Sequence, residues 1–144
     1  MENNLHISCP HCFATNRVRR DRLGDNPKCG KCKRPLFDAR PVEINSANAQ
    51  AILNNTDVPV LVDCWAPWCG PCRSFAPVFE RAAAELEPGF RLAKLNTERE
   101  AAIASGWRIQ SIPTLIVFKG DREVQRISGA MSLPQLKQWL QQVQ

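Results

Sequence analysis

The segment from Val58 to Cys72 has the sequence VPVLVDCWAPWCGPC. Its first nine residues form an almost continuous run of β-branched and apolar side chains, which is typical of a central strand covered on both faces. From Cys69 to Glu87 the apolar residues recur at helical spacing, and Pro71 suits the first turn of a helix. The segment therefore predicts a buried strand that passes directly into a helix, with Cys69 at the junction.

This junction makes Cys69 a candidate nucleophile. A sulfur at the start of a helix faces free backbone N–H groups and the positive end of the helix dipole, which favour thiolate over thiol. Cys72 lies one turn further along and is expected to be the less exposed, resolving thiol. We therefore predict a redox dithiol at Cys69 and Cys72.

The elements around this junction predict an α/β fold. Strands are predicted near residues 42–44, 90–95, 114–119 and 123–128, and helices near Ser46, Thr97 and Ser132. The order β-α-β-α-β-α-β-β-α ends in a hairpin and a helix. It predicts a mixed central sheet with helices on both faces.

Four further cysteines near the amino end form two C-x-x-C pairs, Cys9/Cys12 and Cys29/Cys32. Two such pairs, sixteen residues apart, match the ligand spacing of a structural zinc site, where each pair supplies two thiolates from a tight turn. The tetrapeptide CPHC is also the active-site sequence of periplasmic disulfide oxidases. No helical pattern follows Cys12, however, so we predict one structural Zn²⁺ on these four cysteines. His6 and His11 are expected to be surface residues.

Charge and composition separate the chain into two parts. Residues 1–40 hold nine basic and four acidic residues, so this segment carries the whole net charge of +5 in the chain of 144 residues. Four zinc-bound thiolates would offset part of that charge, and a basic docking surface is the alternative explanation. We predict a zinc-ribbon module at residues 1–38, a linker at 39–41 and a second domain at 42–144.

The stretch from Trp65 to Cys72, WAPWCGPC, closely resembles the active-site motif of the thioredoxin family. The resemblance runs from about Val42 to Val143 and implies the thioredoxin fold for that domain. The four-cysteine segment in front of it resembles that of the zinc-binding bacterial type, thioredoxin 2.

The resemblance assigns a role to an unusual acid. Asp63 is a carboxylate within an apolar strand, where burial is expected to raise its pKa. It matches the family's buried aspartate, the proton acceptor for Cys72, and Lys94 matches the lysine paired with it. A purely structural buried acid is the alternative. Cys64 departs from the family's usual aromatic residue and is expected to be a small buried apolar side chain, with an accessory redox thiol as the alternative.

The resemblance also implies a shallow apolar surface that docks an extended substrate segment beside a cis-proline loop. Its residues would be Trp68, Gly70, Pro71, Ile112, Pro113, Gly129 and Ala130.

The expected function is reduction of protein disulfides in the cytoplasm, with no organic cofactor bound. The N-terminus lacks the pattern of a secretory signal, and the apolar runs are too short to cross a bilayer. The resemblance implies regeneration by an NADPH-dependent thioredoxin reductase. By analogy, the clients would be ribonucleotide reductase, peroxide-detoxifying enzymes and sulfur-assimilation reductases.

We expect a monomer without membrane or nucleic-acid partners. Two alternatives remain: a zinc-ribbon docking module with an accessory thioredoxin domain, or a disulfide oxidase or isomerase.

Overall fold

The computed structural model describes residues 3–143 and contains two sheets. The strands are β1 (Asn4–Ser8), β2 (Thr15–Arg19), β3 (Val42–Glu43), β4 (Val60–Trp65), β5 (Arg91–Asn96), β6 (Thr114–Lys119) and β7 (Arg122–Ser128). The helices are α1 (Ala49–Asn54), α2 (Gly70–Leu86), α3 (Ala101–Gly106) and α4 (Leu133–Leu140), with a short 3₁₀ turn at Arg20–Arg22.

The larger sheet has the strand order β3-β5-β4-β6-β7. Strands β3, β5 and β4 run parallel, whereas β6 is antiparallel to β4 and β7 is antiparallel to β6. Strand β4 is central, and its residues 60–64 are all buried because both faces are covered. The predicted mixed sheet is therefore confirmed.

Alternate residues of the strands enter two separate cores, one on each face of the sheet. On one face Leu61, Leu92 and Leu115 pack with Phe75 and Phe79 of α2 and with residues of α4. On the other face the intervening residues, such as Val60, Val62 and Ala93, pack with α1 and α3. Helices thus lie on both faces, and α2 lies on the face to which Asp63 belongs.

The amino-terminal module is built on the antiparallel hairpin of β1 and β2. Its small core contains Leu5, Ile7, Val18 and Leu36, and Val58 from the segment before β4 joins the same cluster. An apolar core this small does not normally hold a fold on its own, so the cysteine site and the neighbouring domain both support it.

A buried arginine at the start of β5 connects the two parts of the chain. The side chain of Arg91 is 1% exposed and donates hydrogen bonds to the carbonyl oxygens of Leu36 (2.8 Å) and Ser8 (2.9 Å). Its guanidinium also lies 4.4 Å from the centre of the Phe37 ring. No pattern in the sequence indicates this contact, which fastens the hairpin to the end of the sheet opposite Cys69.

Further hydrogen bonds, from both backbone and side chains, add to this interface. The amide of His6 donates to Asp57 Oδ2 (2.6 Å), and the amide of Asp57 donates to the carbonyl of His6 (2.7 Å). The hydroxyls of Ser8 and Thr56 are 2.7 Å apart. His6 is exposed, as predicted, but its backbone is part of the junction.

Helix starts were predicted with mixed success. The predicted helix start near Ser132 is confirmed, and Ser132 and Gln135 form a capping box there. Thr97, in contrast, does not cap α3, which begins only at Ala101; its hydroxyl donates to the carbonyl of Trp65 instead (3.0 Å). Helix α1 begins at Ala49 rather than near Ser46, because Asn45 and Asn48 form the turn before it. None of the helices within residues 3–143 is both long enough and apolar enough to span a membrane.

Candidate functional site

The Cys69–Cys72 pair lies where β4 passes into α2, as the sequence predicted. The two cysteines form a disulfide with their Cα atoms 5.2 Å apart. Cys69 is the N-cap of α2, with extended backbone angles, and its sulfur accepts a hydrogen bond from the Cys72 amide (3.2 Å). An amide aimed at this sulfur, together with the helix dipole, favours negative charge on it.

The cis-proline loop packs directly against this disulfide. The peptide bond between Ile112 and Pro113 is cis, and the carbonyl oxygen of Ile112 lies 4.0 Å from the sulfur of Cys69. The amide of Gly129 donates to the carbonyl of Pro113 (2.8 Å), at a φ of 104° that glycine adopts without strain. Two of the predicted docking loops are therefore joined beside the dithiol.

A shallow groove extends from this loop toward α3. Trp68 is 68% exposed, which makes it the outstanding exposed apolar side chain among residues 3–143. It lines the groove together with Ile112, Ile109, Thr97 and Ala101. Gly70 and Pro71 lie in the first turn of α2, and Ala130 is exposed after Gly129. An apolar surface of this kind suits an extended peptide segment.

Asp63 is completely buried in the middle of β4. Burial is the main cause that raises its pKa, to about 7; the charge of Lys94 lowers it and that of Glu43 raises it further. Neither carboxylate oxygen accepts a hydrogen bond from the residues that the structure describes. A carboxyl with a pKa near 7 exchanges a proton readily at neutral pH.

Lys94 lies directly beside Asp63 on the neighbouring strand, because the two residues are cross-strand partners in the parallel pair β4–β5. Its ammonium group lies 4.6 Å from the centre of the Trp65 ring. The positively charged group is thus held against an aromatic face near the buried acid.

The four amino-terminal cysteines converge on one point. Their Sγ atoms all lie within 4.8 Å of one another, and the pairs Cys9/Cys32 and Cys12/Cys29 are 3.6 Å apart. Tetrahedral zinc with Zn–S bonds of about 2.3 Å requires sulfurs about 3.8 Å apart. The arrangement therefore fits a single tetrahedral ion.

The two C-x-x-C turns have the same hydrogen-bond pattern. The amides of His11 and Cys12 point at the sulfur of Cys9, and those of Lys31 and Cys32 point at the sulfur of Cys29. In the second turn the Cys32 amide is the largest influence that lowers the pKa of Cys29, to about 5, followed by the side-chain amide of Asn16. In the first turn burial outweighs the two amides and raises the pKa of Cys9 to about 12. N–H groups directed at sulfur stabilise thiolates, which are the form that binds metal.

Asn16 is a supporting residue that the sequence analysis missed. Its Nδ2 lies 3.5 Å from the sulfur of Cys29, and its Oδ1 accepts from the amide of Gly30 (2.8 Å). Asn16, on strand β2, therefore holds the turn between Cys29 and Cys32 in place. Strand β2, rather than a helix, follows Cys12, as predicted when the oxidase interpretation of CPHC was set aside.

The side chains of the two remaining candidates, Cys64 and His11, belong neither to the disulfide nor to the four converging sulfurs. Cys64 is buried on the sheet face opposite Asp63, and burial raises its pKa to about 12, which keeps it a neutral thiol. This supports an apolar packing role over an accessory redox role. His11 lies beside Asp38, with its Nε2 2.9 Å from Oδ2, and is not one of the four converging ligands.

Comparison with known proteins agrees with both parts of this arrangement. The sequence matches the family described as "Thioredoxin" over residues 40–142. It also matches the zinc-ribbon family described as "Thioredoxin 2, N-terminal" over residues 8–34.

Individual relatives cover most of the chain. Thioredoxin C-3 of Corynebacterium nephridii is 41% identical over 94% of this chain and 93% of its own length. Thioredoxin 1 of Nostoc sp. is 45% identical over 67% of this chain and 90% of its own length. Among solved structures, a point mutant of a thioredoxin from Halobacterium salinarum superposes with a TM-score of 0.66 at 26% identity, covering 74% of this chain and 92% of that one. The chain therefore belongs to the thioredoxin family, as a disulfide oxidoreductase that carries an N-terminal zinc-ribbon domain of the thioredoxin 2 type.

Proposed function

We propose that the protein reduces disulfide bonds in other proteins through the Cys69–Cys72 dithiol. The observation that carries this proposal is the position of Cys69 as N-cap of α2, with the Cys72 amide directed at its sulfur, next to the exposed groove. A sulfur in that position is stabilised as a thiolate. Cys69 is 4% exposed and Cys72 2%, so a docked peptide would reach Cys69 from the groove beside it.

The reaction proceeds in two exchanges. The thiolate of Cys69 attacks one sulfur of the substrate disulfide, which forms a mixed disulfide and releases one substrate thiolate. Cys72 then loses its proton to the carboxylate of Asp63, and the resulting thiolate attacks the sulfur of Cys69. The second substrate thiolate leaves, and the Cys69–Cys72 disulfide present in the structure is the product.

The assignment of Asp63 as the proton acceptor is supported by its burial on the α2 side of the sheet and by its pKa near 7. Lys94 limits the rise of that pKa and so keeps part of the population ionised at neutral pH. Trp68, Gly70, Pro71, Ile112, Pro113, Gly129 and Ala130 would form the docking surface for the substrate.

The cysteines Cys9, Cys12, Cys29 and Cys32 would hold one structural Zn²⁺. When bound, this ion supplies cross-linking and charge neutralisation rather than redox chemistry. The ribbon packs at the amino end of β4 and β5, where Val58 and Arg91 contact it. The dithiol, in contrast, follows the carboxyl end of β4. Because the two sites lie at opposite ends of the sheet, the ribbon leaves the groove free.

The family resemblance supports three further proposals. An NADPH-dependent thioredoxin reductase regenerates the Cys69–Cys72 dithiol, the protein is located in the cytoplasm, and its substrates are proteins that contain disulfides. Ribonucleotide reductase, peroxide-detoxifying enzymes and sulfur-assimilation reductases are clients by analogy. We propose a domain division at residues 1–38, 39–41 and 42–144. The intact dithiol with its buried acid favours a reductase over a docking module.

Reduction of insulin disulfides with NADPH and thioredoxin reductase tests the proposal. Cys69→Ser is expected to abolish turnover while the protein keeps its zinc, because the nucleophile is lost and the ribbon is unaffected. Cys64→Ala is the matched control: it also removes one thiol, but from the opposite face of the sheet, and it should retain activity. Full activity of Cys69→Ser would exclude the proposed mechanism.

A further inference from the structure

A second carboxylate lies in the same row as the buried acid. Glu43 of β3 is the cross-strand partner of Lys94 in β5, and Lys94 is the cross-strand partner of Asp63 in β4. The three residues therefore form one line across three adjacent parallel strands, with the lysine in the middle. The sequence analysis singled out Asp63 and Lys94 but not Glu43.

All three side chains belong to the same face of the sheet. Val42 and Ala93, which precede Glu43 and Lys94, contribute to the core beneath α1 and α3. The next residues must point to the opposite side, where α2 packs on Leu61 and Leu92. This is the side that carries the dithiol helix.

Exposure increases along the row from one end to the other. Asp63 is fully buried, Lys94 is half-buried, and Glu43, on the edge strand, is the most exposed of the three although its carboxyl is still partly desolvated. Within the described chain, Lys94 makes no direct ion pair with either carboxylate; its ammonium rests against the ring of Trp65, two residues after Asp63 on β4. The single positive charge is thus available to both acids.

We propose that Glu43 is a positioning residue for the reaction: it competes with Asp63 for the charge of Lys94 and thereby shifts upward the pH at which Asp63 takes up the proton of Cys72. This inference rests on the proposed role of Asp63. Glu43 itself touches neither substrate nor dithiol and acts through Lys94.

The electrostatics of the row agree with this arrangement. Glu43 acts to raise the pKa of Asp63, and Lys94 acts to lower it. Burial is the main cause that raises the pKa of Glu43, against the charges of Lys94 and Arg99. The apolar Leu115 of β6 is the cross-strand neighbour of Asp63 on its other side, Trp65 packs between this row and the cluster that contains the dithiol, and His11, Asp38 and Arg40 line the cleft beside Glu43.

Glu43→Gln keeps the shape of the side chain and removes its charge, so Lys94 would interact with Asp63 alone. The titration midpoint of Asp63 should then fall. Two strand spacings separate the acids by about 10 Å, and a unit charge at that distance, partly screened by salt, shifts a midpoint by about 0.5 pH unit.

The test is a carboxyl ¹³C NMR titration of Asp63 in the full-length, zinc-loaded, oxidised protein. Glu43→Gln is expected to lower the midpoint by about 0.5 unit, and Glu43→Asp should restore it. Glu80→Gln removes the same charge from an exposed position on α2 and should leave it unchanged. An unchanged or raised midpoint in Glu43→Gln overturns the proposal.

A kinetic measurement separates this proposal from the proposed function. The acid limb of the pH–rate profile for mixed-disulfide resolution should move down with the NMR midpoint in Glu43→Gln, while KM for insulin stays constant. If Asp63→Asn resolves the mixed disulfide at the wild-type rate, Asp63 is not the proton acceptor and the proposed catalytic role fails. A lowered midpoint in Glu43→Gln would still show that the charge of Glu43 acts on Asp63.

Discussion

Replacing Asp63 by asparagine should stabilise the protein, and the gain should depend on pH. The pKa of Asp63 rises from its ordinary value of 3.8 to about 7 because the carboxyl is buried. Between these values the folded protein keeps a proton that the unfolded chain has lost, so the free energy of unfolding falls as the pH rises from about 4 to about 7. A difference of about 3 pKa units corresponds to about 4 kcal/mol.

Asparagine has nearly the shape of the protonated acid and carries no charge. Asp63→Asn should therefore be about 4 kcal/mol more stable than the wild type at pH 8, and within about 1 kcal/mol of it at pH 4. With a urea m-value of about 2 kcal/mol/M, the midpoint at pH 8 should rise by about 2 M.

The assay is urea unfolding of the oxidised protein at both pH values, with wild type and variant at the same zinc occupancy, followed by tryptophan fluorescence. Asp121→Asn, in the exposed turn between β6 and β7, is the control and should change stability by no more than about 0.5 kcal/mol. Equal stability of Asp63→Asn and wild type at pH 8, or a gain that is the same at pH 4 and pH 8, would refute the assignment of a buried acid whose pKa is raised to about 7.

Three other substitutions address separate contacts. Arg91→Met should cost about 3 kcal/mol, because the carbonyls of Ser8 and Leu36 lose their buried partner; a matched loss of amide hydrogen-exchange protection in β1 would locate the effect at the interface, and unchanged protection there would contradict it. Cys12→Ser should abolish stoichiometric zinc binding, measured by metal analysis, yet leave insulin reduction largely intact; a loss of activity equal to that of Cys69→Ser would show that the ribbon takes part in the chemistry. Trp68→Ala should raise KM for insulin several-fold without changing the urea midpoint, because the side chain is exposed beside the groove; an unchanged KM would remove it from the docking surface.

The sheet was predictable because its signals are local and strong. The apolar run of β4 ends directly at Cys69, and apolar residues at helical spacing follow it, so strand, junction and helix were each evident from the sequence. The convergence of the four amino-terminal cysteines was predictable for the same reason, since two C-x-x-C pairs leave few other arrangements.

Helix caps and polar contacts between distant segments were less predictable. Thr97 has the sequence of a capping box, but its hydroxyl is used by the carbonyl of Trp65 and the helix begins later. Arg91 occupies the first position of a strand, where a charged side chain is normally solvated. Only the fold shows that the carbonyls of Ser8 and Leu36 lie around it.

Glu43 illustrates a third kind of limit. Its importance depends on strand register, because β3 is distant in sequence from β4 and β5 and meets Lys94 only when the parallel strands align. A two-residue strand carries too little pattern to predict such a register.

Differential alkylation of the zinc-loaded protein during turnover with insulin, followed by mass spectrometry, most directly identifies which sulfurs exchange electrons. Because Cys69 lies at the N-cap of α2 and outside the four-cysteine cluster, we expect Cys69 and Cys72 to alternate between thiol and disulfide. The four converging cysteines should remain reduced and keep their metal. Alternation of Cys9 and Cys12 between the two redox states, with zinc held by Cys69 and Cys72, would contradict the assignment of both sites.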